Sequence, residues 1–455
     1  MQPRNSRMAQ DEVLLRSITH TGKWFYWMVA ALVAVIAFGL YSYLHQVVVG
    51  LGVTGLAQPI SWGFYIVNFV FFIGISHAGT LISAILRLSQ AEWRRPITRM
   101  AEVITAIVLA IGGVLPIIDL GQPGRMWNLV TNGRLQSPLL WDVTSISAYF
   151  AASTVYLFLP LIPDIAVLRD QGIRPKWLYE FLSWGWQGTE GQQRVLNRAI
   201  NILMVMVIPI AVSVHTVISY IFAMTVQPGW HSTIFGPYFV AGAIFSGIAA
   251  LLIVMITFRK VYHLERYLKD IHFKYLSMLL LIMSLLWFYF TFSEYLTTYY
   301  GNEPDEMRVF FYKFLGGFSP YFWLMVLCNF VLPVTLLSNG RMRTTKGILL
   351  ASVSVVVGMW LERFIIVVPS LANPRMEYPT GVYIPTLTEW SLFAAGIALF
   401  VLGFIMFAKF FPLISIWEIQ EGRESGIREV SERVRSYLPD SPEGTEAEPV
   451  MESPL

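Results

Sequence analysis

Ten long, nearly uncharged stretches dominate the sequence, and each is long enough to cross a lipid bilayer. A transmembrane helix needs about 20 apolar residues, because a helix rises about 1.5 Å per residue and the hydrocarbon core is about 30 Å thick. The stretches are continuous rather than alternating, which favours helices over the strands of a membrane barrel. We predict an all-α integral membrane protein with spans at residues 24–44, 61–86, 99–119, 140–162, 199–224, 234–258, 273–296, 318–337, 347–368 and 390–411.

The composition excludes several kinds of binding site from this chain. Only 13% of the residues are charged, and the net charge of +3 is too small to suggest nucleic-acid binding. Cys328 is the single cysteine. One cysteine excludes an internal disulfide and any iron–sulfur cluster or Cys-ligated zinc site built from this chain alone. We therefore expect no resident metal.

Positive charge is distributed unevenly between the two sides of the membrane. Loops on the side of the chain ends carry 26 Lys and Arg residues, and loops on the other side carry 5. By the positive-inside rule, the N-terminal segment 1–23 and the C-terminus should both be cytoplasmic. Residues 418–455 contain ten acidic and four basic residues with several Pro, Gly and Ser, which predicts a mostly disordered acidic tail.

A short motif occurs twice, four spans apart. Ser137-Pro138-x-x-Trp141 opens the fourth span and Ser319-Pro320-x-x-Trp323 opens the eighth. An even number of spans separates the two copies, so two such units would run parallel in the membrane. The simplest architecture has two four-helix bundles, at residues 61–224 and 234–368, with spans 24–44 and 390–411 peripheral. A coincidental match of one short motif is the alternative.

Polar side chains inside the spans are candidates for function, because burying them in hydrocarbon is costly. Counting along the helices places Asn68 about 10 Å, His215 about 15 Å and His77 about 24 Å below the outer edge. Asp119 and Asp142 lie at the outer ends of the third and fourth spans. Four polar groups should thus gather in the outer half of the first bundle, with His77 deeper.

A histidine and a carboxylate near one membrane face could accept the two protons released when a quinol is oxidised. Structural explanations compete with this one. The two aspartates could simply cap helix ends, Ser213, Thr216 or a carbonyl could satisfy His215, and His77 could hydrogen-bond to a neighbouring helix.

The second bundle also contains charged residues, namely Glu294, Glu362 and Arg363. Adjacent residues point about 100° apart on a helix, so Glu362 and Arg363 should each have a separate partner. Glu294 and Arg363 lie at similar depth and should form an ion pair that clamps the bundle. A proton path through these residues is the alternative.

A haem b site would need two histidines at matching depth on neighbouring helices. His77 and His215 differ by about 9 Å in estimated depth, and no other span contains a histidine. This difference disfavours a haem in the chain.

Several of these segments resemble the NrfD/PsrC family of quinone-binding membrane subunits. The matching motifs are Trp62-Gly-Phe-Tyr-Ile-Val-Asn68 with Gly74-x-x-His77-Ala-Gly79, Asp119-Leu-Gly-Gln-Pro-Gly-Arg125, Ser137-Pro138-x-x-Trp141, and His215-Thr-Val-Ile-Ser219. The resemblance covers about residues 20–415. Among family members, the chain looks most like the ActC-type subunit of bacterial alternative complex III, with the ActF-type subunit as the near rival.

The resemblance implies quinol oxidation near the outer face of a bacterial inner membrane. Electrons would pass to an outer iron–sulfur subunit, in a complex that also holds a cytochrome c subunit and a second NrfD-like subunit. Menaquinone is the expected quinone. We expect catalytic roles for His215, Asp142 and Asp119, and quinol-binding roles for Asn68, His77, Arg125 and Trp141. Asp142 departs from the small residue usual in this position of the family.

Two other classes of protein share some of these features. A secondary transporter would also have repeats and charged residues near the midplane, but it usually has helices broken by Gly or Pro at matching positions. A purely structural anchor would not require costly acids and a histidine gathered at one depth.

Overall fold

The computed structural model describes residues 12–19, 21–89, 91–376, 378 and 381–422, and within them all ten predicted spans are helices. Their continuous apolar sequences favour helices, because a helix satisfies all of its interior backbone hydrogen bonds within itself. We number these spans α1 to α10. They are α1 Lys23–Val49, α2 Phe64–Leu88, α3 Thr98–Asp119, α4 Pro138–Asp170, α5 Glu190–Ala223, α6 Phe235–Tyr262, α7 Asp270–Gly301, α8 Ser319–Ser338, α9 Thr345–Ala372 and α10 Leu387–Phe410.

The eight central helices form two four-helix bundles. In the first bundle, α2 packs on α3, α3 on α4, α4 on α5, and α5 returns to α2. In the second, α6, α7, α8 and α9 close the same kind of ring. Two short helices, Met126–Thr131 and Pro304–Phe314, precede α4 and α8, respectively. The all-helical fold with ten spans, predicted from the sequence, is confirmed.

The two bundles meet in a reciprocal pattern. Helix α2 packs against α6, α2 also contacts α9, and α6 also contacts α5. The first helix of each bundle thus touches the first and last helices of the other, as a two-fold relation requires. The tryptophans of the two motif copies also make similar hydrogen bonds, each from its indole N–H to a main-chain carbonyl earlier in the chain. Trp141 donates to Leu135 at 2.5 Å and Trp323 to Phe314 at 3.3 Å.

Helix α8 contains a π-helical turn at Leu327–Val331, just before Pro333. Proline lacks an N–H donor, so Pro333 cannot make the usual helical hydrogen bond to the carbonyl of Asn329, four residues before it. The Ser284 hydroxyl of α7 donates to that carbonyl at 2.6 Å, and Ser354 of α9 donates to the Cys328 carbonyl at 2.6 Å. Hydroxyls from neighbouring helices therefore satisfy this irregular turn.

Helices α1 and α10 pair with each other outside the bundles. Gly39 permits their close approach, since a β-carbon at this position would overlap Ala395. Helix α10 also packs on α3, whereas most of α1 remains exposed on the outside of the protein. The peripheral arrangement matches a pair of helices whose outer faces meet lipid.

Both described chain ends lie on one side, which we call the terminal side; the opposite side is the distal side. Lys409 at the end of α10 donates to the Ser17 carbonyl at 2.7 Å, which ties the two ends together. The prediction of a disordered tail from residue 418 is wrong at its start, because Glu418 is buried and paired with arginines. Residues 423–455, which carry the rest of that prediction, and residues 1–11 lie outside the described residues.

Candidate functional site

The two histidines in the spans are in direct contact. The ring centroids of His77 on α2 and His215 on α5 are 4.0 Å apart. The predicted depth difference between them is therefore wrong. Counting residues along each span places the two histidines correctly only if all helices end at the same depth in the membrane. The 34-residue α5 is about 50 Å long, so it must tilt or extend beyond the hydrocarbon core.

The two rings differ in their hydrogen bonds. His77 Nε2 lies 2.6 Å from the Ala211 carbonyl of α5, and Nδ1 lies 2.9 Å from the Ile73 carbonyl. His77 therefore does hydrogen-bond to a neighbouring helix, as its structural explanation predicted. Since the rings touch, there is no room between them for a porphyrin with one histidine on each face.

His215 is fully buried, yet among the described residues neither of its ring nitrogens has a hydrogen-bond partner. The hydroxyls that could have satisfied it bond elsewhere: Ser213 donates to the Pro209 carbonyl and Thr216 to the Val212 carbonyl. A buried polar atom without a partner costs about 1–3 kcal/mol. The ring is therefore available to a water molecule or a ligand.

Arg363 of α9, in the second bundle, lies close to the pair of His77 and His215. Its guanidinium carbon lies 4.9 Å from the centre of the Phe239 ring, and the His215 ring lies 6.4 Å from that same ring. We call His77, His215, Phe239 and Arg363 the histidine junction. It connects the two bundles through α2, α5, α6 and α9.

The predicted ion pair between Glu294 and Arg363 is wrong. Arg363 Nη1 lies 2.8 Å from Glu362 Oε2, and the indole N–H of Trp287 donates to the other Glu362 oxygen at 2.5 Å. Glu294 instead accepts a hydrogen bond from the Ser232 hydroxyl. The helical angle between adjacent residues did not prevent pairing, because both side chains are long enough to fold towards each other.

Asn68 faces away from the histidine junction. Its side-chain oxygen accepts a hydrogen bond from the indole N–H of Trp360 on α9 at 2.8 Å. Nine residues separate Asn68 from His77, which places them on opposite faces of α2. The amide nitrogen of Asn68 is buried and has no partner in the part of the chain that the structure describes. Asn68 therefore lies between the bundles, and the expected gathering with His215 inside the first bundle is not observed.

Asp119 ends α3 beside polar residues that the sequence analysis missed. The Tyr65 hydroxyl donates to the Gln46 side chain at 2.5 Å, and Gln46 donates to the Ile118 carbonyl at 3.0 Å. Asp119 is also close enough to Glu389 of α10 for their charges to interact. Gln46 and Glu389 fell just outside the predicted spans, whereas α1 and α10 extend past both residues.

Asp142 is buried on α4, whereas Trp141 and Arg125, which were predicted to share its site, are exposed. One Asp142 oxygen is buried and finds no partner in the described ranges. Trp141 is 40% exposed, and Arg125 lies exposed in the distal-side loop. Asp142 does not cap α4, which begins after Ser137. Helix capping therefore does not account for its burial.

Four of the residues predicted for the quinol site share one property. Each keeps a buried polar atom with no partner within the described residues: Asn68 Nδ2, Asp119 Oδ1, Asp142 Oδ1, and both ring nitrogens of His215. Buried polar groups are normally hydrogen-bonded, so such atoms call for water or a ligand. The described residues contain no group of three or more His, Cys, Asp or Glu side chains placed to hold a metal ion.

Comparison with known proteins assigns relatives to most of the chain. The family model described as "Polysulphide reductase, NrfD" matches residues 52–374. A putative dimethyl sulfoxide reductase membrane subunit of Halobacterium salinarum is 28% identical over 359 residues, 78% of this chain and 79% of that protein. A selenate reductase subunit of Mesobacillus selenatarsenatis is 25% identical over 414 residues, covering 86% and 95%. The Hdr-like menaquinol oxidoreductase integral membrane subunit of Archaeoglobus fulgidus is 24% identical over 423 residues, covering 87% and 95%.

Proposed function

This chain belongs to the NrfD family, and we propose that it is the quinol-oxidising membrane subunit of a multisubunit electron-transfer complex. The observation that carries the proposal is the set of buried polar atoms on Asp119, Asp142 and His215 that have no partner within the described residues. A quinol has two hydroxyl groups on an apolar ring, so it can enter from the lipid and offer hydrogen bonds to such atoms. The printed name of the Archaeoglobus relative, a menaquinol oxidoreductase subunit, supports the same substrate class.

Oxidation of a quinol releases two protons and two electrons. We assign proton acceptance to His215 and Asp142, whose free nitrogen and oxygen atoms can each take one proton. Asp119, Arg125 and Trp141 would shape the distal mouth of the site. Asn68 is not assigned to this site, because it lies on the opposite face of α2 and bonds to Trp360. His77, held against the Ala211 carbonyl and in contact with the His215 ring, would relay protons from it.

The electrons require a partner, because the sequence has a single cysteine and therefore no iron–sulfur cluster of its own. We propose an iron–sulfur subunit on the distal side, in an arrangement like alternative complex III. A cytochrome c subunit and a second NrfD-like subunit would complete that complex, and menaquinone would be the quinone.

The membrane would be the inner membrane of a bacterium with both chain ends in the cytoplasm. Glu362, Arg363 and Glu294 would form a proton path through the second bundle.

The test is quinol oxidation by the complex purified in a gentle detergent, with its subunits identified by mass spectrometry. His215→Ala and Asp142→Asn should each reduce the turnover rate by at least about 100-fold, the usual contribution of a positioned proton acceptor. Ser213→Ala and Thr144→Ala are matched controls on the same helices, since both hydroxyls are exposed and bond only to their own helix. Both controls should turn over at the parent rate.

Normal turnover in both site variants would reject the assignment of these residues. Recovery of the chain alone, without quinol oxidation, would instead favour the alternative function, a secondary transporter or proton-conducting subunit. Attention would then move to the buried pair of Glu362 and Arg363.

A further inference from the structure

The chain does not leave the protein where α10 ends. After Phe410 it turns back beneath the terminal-side end of the first bundle, and residues 416–422 are helical. Six consecutive residues of this segment are at most 8% exposed: Leu413, Ile414, Ser415, Ile416, Trp417 and Glu418. We call residues 413–422 the carboxy-terminal segment.

Asp164 near the end of α4 anchors the main chain of the segment. Its carboxylate accepts the N–H groups of Ile416 and Trp417 at 3.3 and 3.1 Å. Arg99 of α3 donates to the same carboxylate at 3.0 Å, and both Asp164 and Arg99 are buried. The Trp417 indole donates to the Pro160 carbonyl at 2.7 Å. These contacts hold the segment to α3 and α4.

Glu418 anchors the segment to arginines at the end of α2 and in the loop that follows. Its carboxylate oxygens lie 2.5 Å from Arg87 Nη2 and 3.1 Å from Arg94 Nη1. Arg95 donates to the Glu418 main-chain carbonyl at 2.6 Å. Burial alone would raise the pKa of Glu418, but the attraction of the arginines outweighs it and the pKa lies below its usual value.

A buried polar cluster lies directly behind the segment. Trp417 packs in one group with Ala84 and Tyr156. Next to them, Ser83 donates to Glu102 at 2.7 Å and lies 3.4 Å from the Tyr156 hydroxyl. Glu102 is only 2% exposed.

Polar side chains continue from this cluster towards the histidine junction. Thr105 of α3 and Tyr149 of α4 both donate to the Ser76 carbonyl, at 2.7 and 3.1 Å. Ser76 is adjacent to His77, and the Tyr149 ring lies 5.1 Å from the His77 ring. Polar side chains thus occur in the interior of the first bundle both behind the segment and beside the junction.

We propose that the carboxy-terminal segment is a removable plug, which closes the terminal-side end of the first bundle and controls the entry of water to Glu102. The segment covers the polar interior and is held there by ion pairs and hydrogen bonds rather than by a transmembrane helix. At the edge of the segment, the Glu421 carboxylate that pairs with Arg95 is 51% exposed, so salt screens this contact more than the buried contacts of Glu418. The proposal does not depend on the proposed quinol chemistry.

The test measures thiol labelling of the full chain in its purified complex. Ser83→Cys places a reporter behind the plug, and the native Cys328, buried in the second bundle, reports global unfolding. Glu418→Gln or Trp417→Ala should speed labelling at position 83 by about tenfold or more by a small hydrophilic methanethiosulfonate, because each removes an anchor of the plug. Cys328 should stay protected.

Glu421→Gln is the matched control, because Glu421 is half-exposed at the edge of the segment and should leave labelling at position 83 within about twofold of the parent. Unchanged protection of position 83 in both plug variants would overturn the proposal. Simultaneous exposure of position 83 and Cys328 would also overturn it, since the segment would then be a structural tether of the whole fold. If Ser83→Cys disturbs the bond to Glu102, Ala84→Cys is the second reporter, because Ala84 packs in the same group as Trp417.

Discussion

At the scale of single residues, Lys313 is a buried cation outside the spans. It lies on the distal-side helix Pro304–Phe314, is 5% exposed, and its amine is 5.8 Å from the centre of the Tyr295 ring. Burial lowers its pKa from the usual 10.5 to about 8, against the opposing attraction of Glu294 and Glu306. In the unfolded chain, water solvates the charged amine of Lys313, so its pKa there stays near the usual value.

The lowered pKa predicts a pH-dependent stability. Between about pH 8 and pH 10.5, the unfolded chain holds a proton on Lys313 that the folded protein has released, so stability should rise with pH through this window. Lys313→Met should remove that rise, measured as the difference in Tm between pH 8 and pH 10. Lys346→Met, at an exposed lysine, is the control and should keep the parent's pH dependence. Identical pH dependence in Lys313→Met and the parent would contradict this account.

The sequence was more informative about which residues are unusual than about their partners. A polar side chain inside an apolar stretch is visible in the sequence, and Asp142 and His215 were identified on that basis. Partners depend on side-chain reach and helix rotation, which one sequence does not contain. For that reason the pairing of Glu294 with Arg363 was wrong, and the contact between His77 and His215 was missed.

At the scale of helices, close packing of α2 on α3 depends on one glycine. A β-carbon at Gly79 would overlap the main-chain oxygen of Ala101 and the hydroxyl of Thr105. Main-chain atoms of a packed helix cannot move aside cheaply, so the two helices would have to separate.

Gly79→Ala should therefore destabilise the protein by about 1–3 kcal/mol, the usual cost of overpacking. Gly74→Ala is the matched control in the same helix, since its β-carbon would meet Ser246 Oγ at an ordinary 3.5 Å. The control should be neutral, or stabilising by up to about 1 kcal/mol, because alanine favours helix. Tm of the two variants in one detergent decides the matter. Equal Tm values would mean that α2 and α3 adjust freely.

Helix number was predictable because each span is a long apolar run, but helix ends were not. A span in the sequence ends where polar residues begin, whereas a helix continues as long as its backbone bonds are made. Gln46 and Glu389 lie in those extensions, which is why these two neighbours of Asp119 were overlooked. The same extension of α5 invalidated the depth of His215.

At the scale of the whole molecule, the placement of positive charge predicts orientation. Gly301 ends α7 on the distal side, and Gly340 lies between α8 and α9 on the terminal side; both are exposed. In a Cys328→Ser background, a membrane-impermeant thiol reagent applied to intact spheroplasts should label Gly301→Cys. Gly340→Cys should react only after the membrane is opened. The reverse pattern would place the chain ends outside the cytoplasm.

The reciprocal packing of α2 and α6 also bears on how such a chain can arise. A unit of four spans crosses the membrane an even number of times, so a second copy joined behind it enters in the same orientation. Gene duplication and fusion can thus turn a symmetric homodimer into one chain without moving any charged loop. The joined copies are then free to diverge. One of them carries His215 about two turns from the distal end of its last helix, and the other carries Arg363 at about the same level.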